Sequence, residues 1–373
     1  MAVGNQAEKP RFFIDLLNYN YHIGNIGTAS DGNWDGGEIN NSVIGLNPTK
    51  KYTTYESGQY QYRYFKMGFK NAISLSGQKM FLALLGHDWM TEDYQVQIQL
   101  HYSDDPVSPG DAWQNAVTAT TEVVEDLINW DCSYNGWSLA TFTPSVTQNI
   151  CSIVIKVVGM SANSTFNIGS MAAGYVYQPE FHADLAVTQR RIMDGVKQKQ
   201  TKGGSTYSVI NHIKPPNWWN STPFELFQTD AVKYQNSRLG RRSWDVRFSQ
   251  LQDRFYADGV PNGVFPANEL VGTHEADLLN GGYTDGEDVT ITANADGSTP
   301  ATGDFNYNIN NDHSLYSTVY HNTLGGTLPF LFSPSQDNSP GNFAICRFDK
   351  PGFQVQQKTY KKFNVNMRIN ETW

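Results

Sequence analysis

The sharpest periodicity along the chain has a period of two. In Gln95–Tyr102, Val96, Ile98, Leu100 and Tyr102 share one face, with Gln95, Gln97 and Gln99 on the other. Trp244, Val246 and Phe248 repeat the pattern, and Phe363, Val365, Met367 and Ile369 alternate with Asn364, Asn366 and Arg368. Tyr60, Tyr62 and Tyr64 form another set, and Val289 and Ile291 a shorter one. Successive strand side chains point to opposite faces, so each set predicts a strand with one apolar side. Ile153, Ile155 and Val157 alternate inside an otherwise apolar run, which suits a strand buried on both faces. Short runs of this kind, bounded by Gly, Pro, Asn or Asp, predict an all-β protein of sandwiches or barrels. Helical period is scarce. Thr121–Asn129 predicts two turns with Thr121 as cap, Asn268–Leu279 a short helix broken near Gly272, and Asp184–Val196 a weaker one.

A chain of 373 residues predicts two or three domains at about 100–200 residues each. Pro179, Gly203-Gly204, Pro215-Pro216 and Pro223 punctuate a connector over 179–237. A β-sandwich is expected over 1–178 and a second β domain over 238–373. The stretch 256–313 is rich in Gly, Asp, Asn and Thr and is read as an insertion or functional loop. Charged residues are 17% of the chain, below the usual share of about 25%. The 20 Tyr, 20 Phe and 9 Trp favour strands over surface helices. Cys132, Cys151 and Cys346 are odd in number and lack CxxC spacing, which excludes a disulfide framework and a zinc site. They are read as buried thiols of a reducing cytosol. The opening MAVGNQAEKPRFF lacks a long apolar run, so no secretory signal is expected. No stretch approaches the ~20 apolar residues of a membrane helix, and no membrane partner is expected.

Charge is distributed in three blocks. Residues 1–180 hold 9 basic and 17 acidic groups, 181–254 hold 12 and 6, and 255–373 hold 6 and 13. The net −9 is therefore an acid–base–acid layout. The middle band carries Arg190, Arg191, Lys197, Lys199, Lys202, Arg238, Arg241, Arg242 and Arg247. Such a band can meet nucleic acid or an acidic face of a neighbouring subunit. Subunit contact is the preferred reading, because phosphate binding ordinarily takes a more strongly basic domain.

Candidate chemistry is thin. His22, His87, His101, His182, His212, His274, His313 and His321 fall in no ligand spacing. His87-Asp88 are sequence neighbours, and neighbours on a strand face opposite ways. There is no GxSxG elbow and no phosphate loop, and Gly203-Gly204-Ser205 reads as a turn. Asp31, Asp35 and Glu38, and Asp285, Glu287 and Asp288, are acidic loop clusters. Calcium takes several oxygen ligands from such loops, but Asp-Gly turns explain them as well. Trp218-Trp219 reads as a sugar-stacking platform or as an interdomain packing element, the latter preferred. No catalytic residue, metal or cofactor is expected.

Several segments carry a resemblance. Pro10–Leu17 followed by His22-Ile23-Gly24, then Ile44–Pro48, resemble the start of virion proteins of marine tailed phages. Phe166–Gly174 resembles the last strands of their galactose-binding-like jelly roll. Gln200–Gly204 and Gly240–Val246 look like the connector and first strand of their second domain. Trp244–Leu251, Leu324–Phe332, Phe343–Phe348 and Phe363–Trp373 follow the order of phage minor tail and distal tail proteins. Residues 256–313 depart from that pattern. The resemblance implies an N-terminal jelly roll and a C-terminal β-sandwich or barrel of tail-tube type. It further implies a virion location in the tail, made in host cytoplasm, as a homo-oligomeric ring such as a hexamer. Tube, hub and fibre proteins would be its neighbours.

The expected function is thus a structural, non-enzymatic tail adaptor. The residues expected at its assembly interface are Arg190, Arg191, Lys197, Lys199, Lys202, Arg241, Arg242, Gly325, Gly326, Phe330, Phe332 and Trp373. The rival from another class is a virion protein that binds host glycan, supported by the jelly-roll likeness. A glycan-degrading enzyme is a third reading, disfavoured because no carboxylate pair is singled out.

Overall fold

A computed structural model describes residues 9–26, 43–46, 52–55, 62–74, 78–89, 93–102, 123–131, 136–145, 149–159, 165–179, 183–184, 187–193, 195–210, 240–252, 315–335, 343–352, 354–359 and 362–372. The chain is all-β. In order the elements are β1 (Arg11–Asp15), α1 (Leu16–His22), β2 (Tyr52–Tyr55), β3 (Tyr62–Ser74), β4 (Met80–Leu85), β5 (Gln95–Tyr102), β6 (Val123–Asp131) and β7 (Trp137–Phe142). Then come β8 (Asn149–Val158), β9 (Thr165–Ile168), β10 (Ser170–Tyr177), β11 (Thr188–Ile192), β12 (Val196–Gln200), β13 (Thr206–Ile210) and β14 (Arg241–Gln252). A π-helical turn, Leu315–Tyr320, and a 3-10 turn, His321–Thr323, precede β15 (Phe330–Ser333), β16 (Ala344–Phe348), β17 (Val355–Thr359) and β18 (Lys362–Glu371).

One antiparallel sheet runs β11-β14-β18-β16-β15-β1-β10-β4-β7, with β17 also on β18. A second sheet, β3-β8-β5-β6, faces its N-terminal part. Val96, Ile98, Leu100 and Tyr102 of β5 are buried with Met80, Leu82 and Leu84 of β4, which makes this half a sandwich. The period-two expectation for β5 holds, and β8 is buried on nearly every position as its apolar run implied.

β1 joins the halves. Phe12 registers with Tyr177 of β10 on one side and with Phe332 of β15 on the other. Phe12 and Ile14 face a second core with Trp244, Val246, Phe248, Phe330, Phe332, Val365 and Ile369. Leu315 and Val319 of the π-helical turn cover that face. Phe13 points the other way, into a third core with Phe81, Trp137, Leu331, Phe343 and Ile345. The centre of the sheet is therefore buried on both sides, which accounts for unbroken runs such as MFLALL and FLF. Gly174 lies where β10 meets β1, and a Cβ there would overlap the Ile14 carbonyl. Only glycine admits that approach.

Two buried polar devices fix the strand ends. Asp15 caps α1, its Oδ1 accepting from the N–H groups of Leu17 at 3.1 Å and Asn18 at 3.3 Å. Burial pushes its carboxyl up to about 7, against backbone donors at Asn18, Ala173 and Leu17 that pull it down. Arg242 is clamped by Glu371: its backbone N–H donates to Oε2 at 2.7 Å and its Nη2 to Oε1 at 2.7 Å. Nη2 also donates to the Phe343 carbonyl at 2.8 Å, and the guanidinium lies over Trp244.

Two helical expectations are corrected. Thr121–Asn129 contributes to β6, and Asp184–Val196 contains β11. β6 registers with β5 from Asp131 to Val123, and that ladder outweighs a weak local helical period. α1 was not anticipated. Asn268–Leu279, Val289–Thr292 and the insertion 256–313 lie outside the described residues. No helix among the described residues is long and apolar enough to cross a membrane.

Candidate assembly arm

Part of the basic band, Lys197, Lys199 and Lys202, lies on an exposed ribbon, while Arg190 and Arg191 lie on β11 and Arg241, Arg242 and Arg247 on β14. β11 is the last strand of the long sheet, and all five of its residues are exposed. It registers with β14 from Thr188↔Asp245 to Ile192↔Arg241. Arg190 Nη2 pairs with Asp245 Oδ2 at 2.9 Å, and Arg368 Nε holds Oδ1 of the same carboxylate at 2.5 Å. Past Gly195 the chain leaves the sheet as a hairpin, β12 against β13, whose only sheet partner among the described residues is itself. Thr201 closes the tip: its N–H donates to the Ser205 carbonyl at 2.9 Å, and its Oγ1 accepts from the Ser205 N–H at 3.1 Å. Gly204 has φ +84, so Gly203-Gly204 is the turn that its sequence suggested.

The register sorts the ribbon into two faces. Lys197↔Val209 and Lys199↔Tyr207 carry cationic and apolar groups; Gln198↔Ser208 and Gln200↔Thr206 are polar. Positions 197–209 are exposed throughout, with Tyr207 at 66% and Val209 at 60%. Ile192 and Met193 at the base are exposed as well. Four of the seven exposed large hydrophobics among the described residues thus fall within 192–209.

The twelve residues expected at an interface are not gathered in one place. Arg190, Arg191, Lys197, Lys199 and Lys202 lie on the arm and its base. Arg241 starts β14 beside Ile192 and is half-buried. Arg242 is buried in its clamp with Glu371, and Phe330 and Phe332 are fully buried in the second core. In this chain those three side chains hold the fold. Gly325 and Gly326 form the turn after the 3-10 segment, where a Cβ on Gly326 would strike the Phe348 ring. Trp373 lies outside the described residues, as do Tyr60, Trp218, Trp219 and both acidic clusters. Ile192, Met193, Tyr207 and Val209 were missed. The available signal is the Ile192-Met193 pair set between Arg191 and Asp194, and Tyr207 and Val209 on either side of Ser208.

Two described histidines are held in packed surroundings. His87 follows β4 in a loop rather than on a strand, buried against Trp89, and its Nδ1 accepts from the Trp89 N–H at 3.3 Å. Burial lowers it to about 3. His321 faces the Tyr19 hydroxyl at 3.3 Å and is lowered by partial burial. No group of three or more His, Cys, Asp or Glu among the described residues is set to hold a metal. A recess of about 590 Å³ beside β18 is lined by Leu315, Val319 and Met367 together with Asp245, Arg247 and Arg368. Of these, Asp245 is bound by Arg190 and Arg368, and Arg247 pairs with Asp184 at 3.4 Å.

No family model matches the chain. No curated protein matches it. Among solved structures it is similar to the CBM32 of AlyQ in complex with 4,5-unsaturated mannuronic acid, at 15% identity over 39% of this chain and 92% of that one, with a TM-score of 0.24. It is also similar to truncated AlyQ with CBM32 and alginate lyase domains, at 12% identity over 64% of this chain and 49% of that one, with a TM-score of 0.23. The architecture rests on the sheets themselves rather than on these overlaps.

Proposed function

We propose that this chain is a structural, non-enzymatic component of a phage tail, an adaptor that joins its neighbours through the arm. The observation that carries the assembly role is the ribbon 195–210, exposed at every position from 197 to 209 and tipped with lysine. An isolated two-stranded hairpin is marginal in water and gains from a partner. Apolar side chains displayed together outside a core mark contact surfaces. The tail assignment rests on the sequence resemblance. In this reading 1–178 is a jelly roll, 179–237 a connector that bears the arm, and 238–373 a tail-tube-like module. The partners are further copies in a ring, together with tube, hub or fibre proteins, and the chain resides in the virion.

The test is to replace residues 195–210 by a short Gly-Ser turn and to label the chain in intact particles. The natural chain is expected at the tail, and the shortened one is expected to fold but stay out of the particle. Absence of the natural chain from purified tails would defeat the tail reading, and normal entry of the shortened chain would remove the arm's role. Glycan-array binding abolished by Trp→Ala changes within 1–178 would favour the receptor reading instead.

A further inference from the structure

We infer that the arm of one copy docks along the free edge of β6 in a second copy, extending the sheet β3-β8-β5-β6. This rests on the arm being the assembly contact. The first ground is backbone pairing. β6 pairs with β5 alone and β12 with β13 alone among the described residues, so within those residues each has an edge of peptide groups without a second strand, the kind of edge to which another strand can add.

The second ground is charge. The described strands with one free edge are β2, β3, β6, β7, β9, β11, β12, β13 and β17. β3 carries Arg63, Lys66 and Lys70; β11 carries Arg190 and Arg191; β12 carries Lys197 and Lys199; β17 carries Lys358. β2, β7, β9 and β13 carry no charged residue. β6, with Glu125, Asp126 and Asp131, is the one acidic edge among them. Lysines on an edge strand repel other basic edges, so they deter arm-to-arm pairing and leave β6 as the complementary partner.

β3, β11 and β17 are the competing basic strands; Arg190 of β11 is tied to Asp245, and β3 is engaged along Phe69-Lys70. Phe69 bridges to Ile26, the Lys70 N–H donates to the Asn25 carbonyl at 2.7 Å, and Lys70 Nζ donates to the Gly24 carbonyl at 2.7 Å. Among the described residues the arm has no such cover. Arm and β6 are different patches of one surface, so the contact is head-to-tail, and copies joined this way close into a ring or run on as a filament.

The test uses the full chain. Mixed labelled and unlabelled copies are treated with a carbodiimide, which joins lysine to a carboxylate in direct contact. Links between copies from Lys197, Lys199 or Lys202 to Glu125, Asp126 or Asp131 are expected. In sedimentation, Lys197→Glu with Lys199→Glu weakens self-association at least about tenfold. Glu125→Lys with Asp126→Lys does the same, and mixing the two variants restores association between them. Should the β6 variant not fold, Asp126→Asn replaces it, with a smaller loss that shrinks at high salt. A natural chain that stays monomeric at low salt, or arm links only to other carboxylates, overturns the inference. Either result leaves the assembly reading standing if arm removal still keeps the chain out of particles.

Discussion

β1 and the arm are both short strand elements, and they are opposites. Every residue of β1 is buried, flanked by strands on both edges and by cores on both faces. Among the described residues the arm has one partner per strand, and its positions 197–209 are exposed. The first therefore contributes to stability, whereas the second, with little to bury, contributes little to it and is available for the proposed association. A substitution in one should leave the other's property nearly untouched.

That contrast can be broken from either side. The largest effect is expected at Phe12. Truncation to Ala removes a ring packed against Tyr177, Phe330 and Phe332 and should cost about 3–5 kcal/mol, read from the urea midpoint; a loss below ~1 kcal/mol would mean that β1 does not tie the halves. Glu371→Ala strands the buried Arg242 guanidinium and should cost a similar ~3–5 kcal/mol, with Arg242→Met together with Glu371→Leu recovering much of it.

A smaller, pH-dependent effect is expected at Asp15. Its folded value of about 7 lies above the ordinary 3.8, so folding takes up a proton between them. The stability it contributes is complete below about pH 4 and is lost as pH rises through 7. Asp15→Asn should flatten this slope while keeping an oxygen for the cap, and an unchanged slope would place the titration elsewhere. The smallest effect on stability is expected at the arm. Tyr207→Ser should shift the unfolding midpoint by no more than ~0.5 kcal/mol yet lower particle entry; a large loss of stability would show that the ribbon belongs to the core.

Much of the sheet was legible because burial on one face imposes alternation on the residues. β5, β14 and β18 follow it directly. β6 was misread because its partner, β5, is remote in sequence, and pairing rather than local period decides its form. The bridging role of Arg11–Asp15 was invisible for the same reason. The arm was legible as charge and as a Gly-Gly turn but not as a ribbon. With no buried face, Lys-Gln-Lys-Gln and Thr-Tyr-Ser-Val leave no apolar stripe to read. Of the expected interface residues, charge marked those on the arm, whereas Phe330 and Phe332 were chosen by motif and are core.

The position of β1 also bears on how the chain can be made. It is made before either of its partners: Phe12 needs Tyr177 on one side and Phe332, far later in synthesis, on the other. Contacts so distant in sequence form slowly and leave an unpaired edge exposed meanwhile. A fragment cut at residue 178 would keep that raw edge for good, and one begun at 179 would lack the strand that completes its sheet. The two halves are thus poor candidates for separate expression, and β1 supplied in trans as a peptide should help the second half stay in solution.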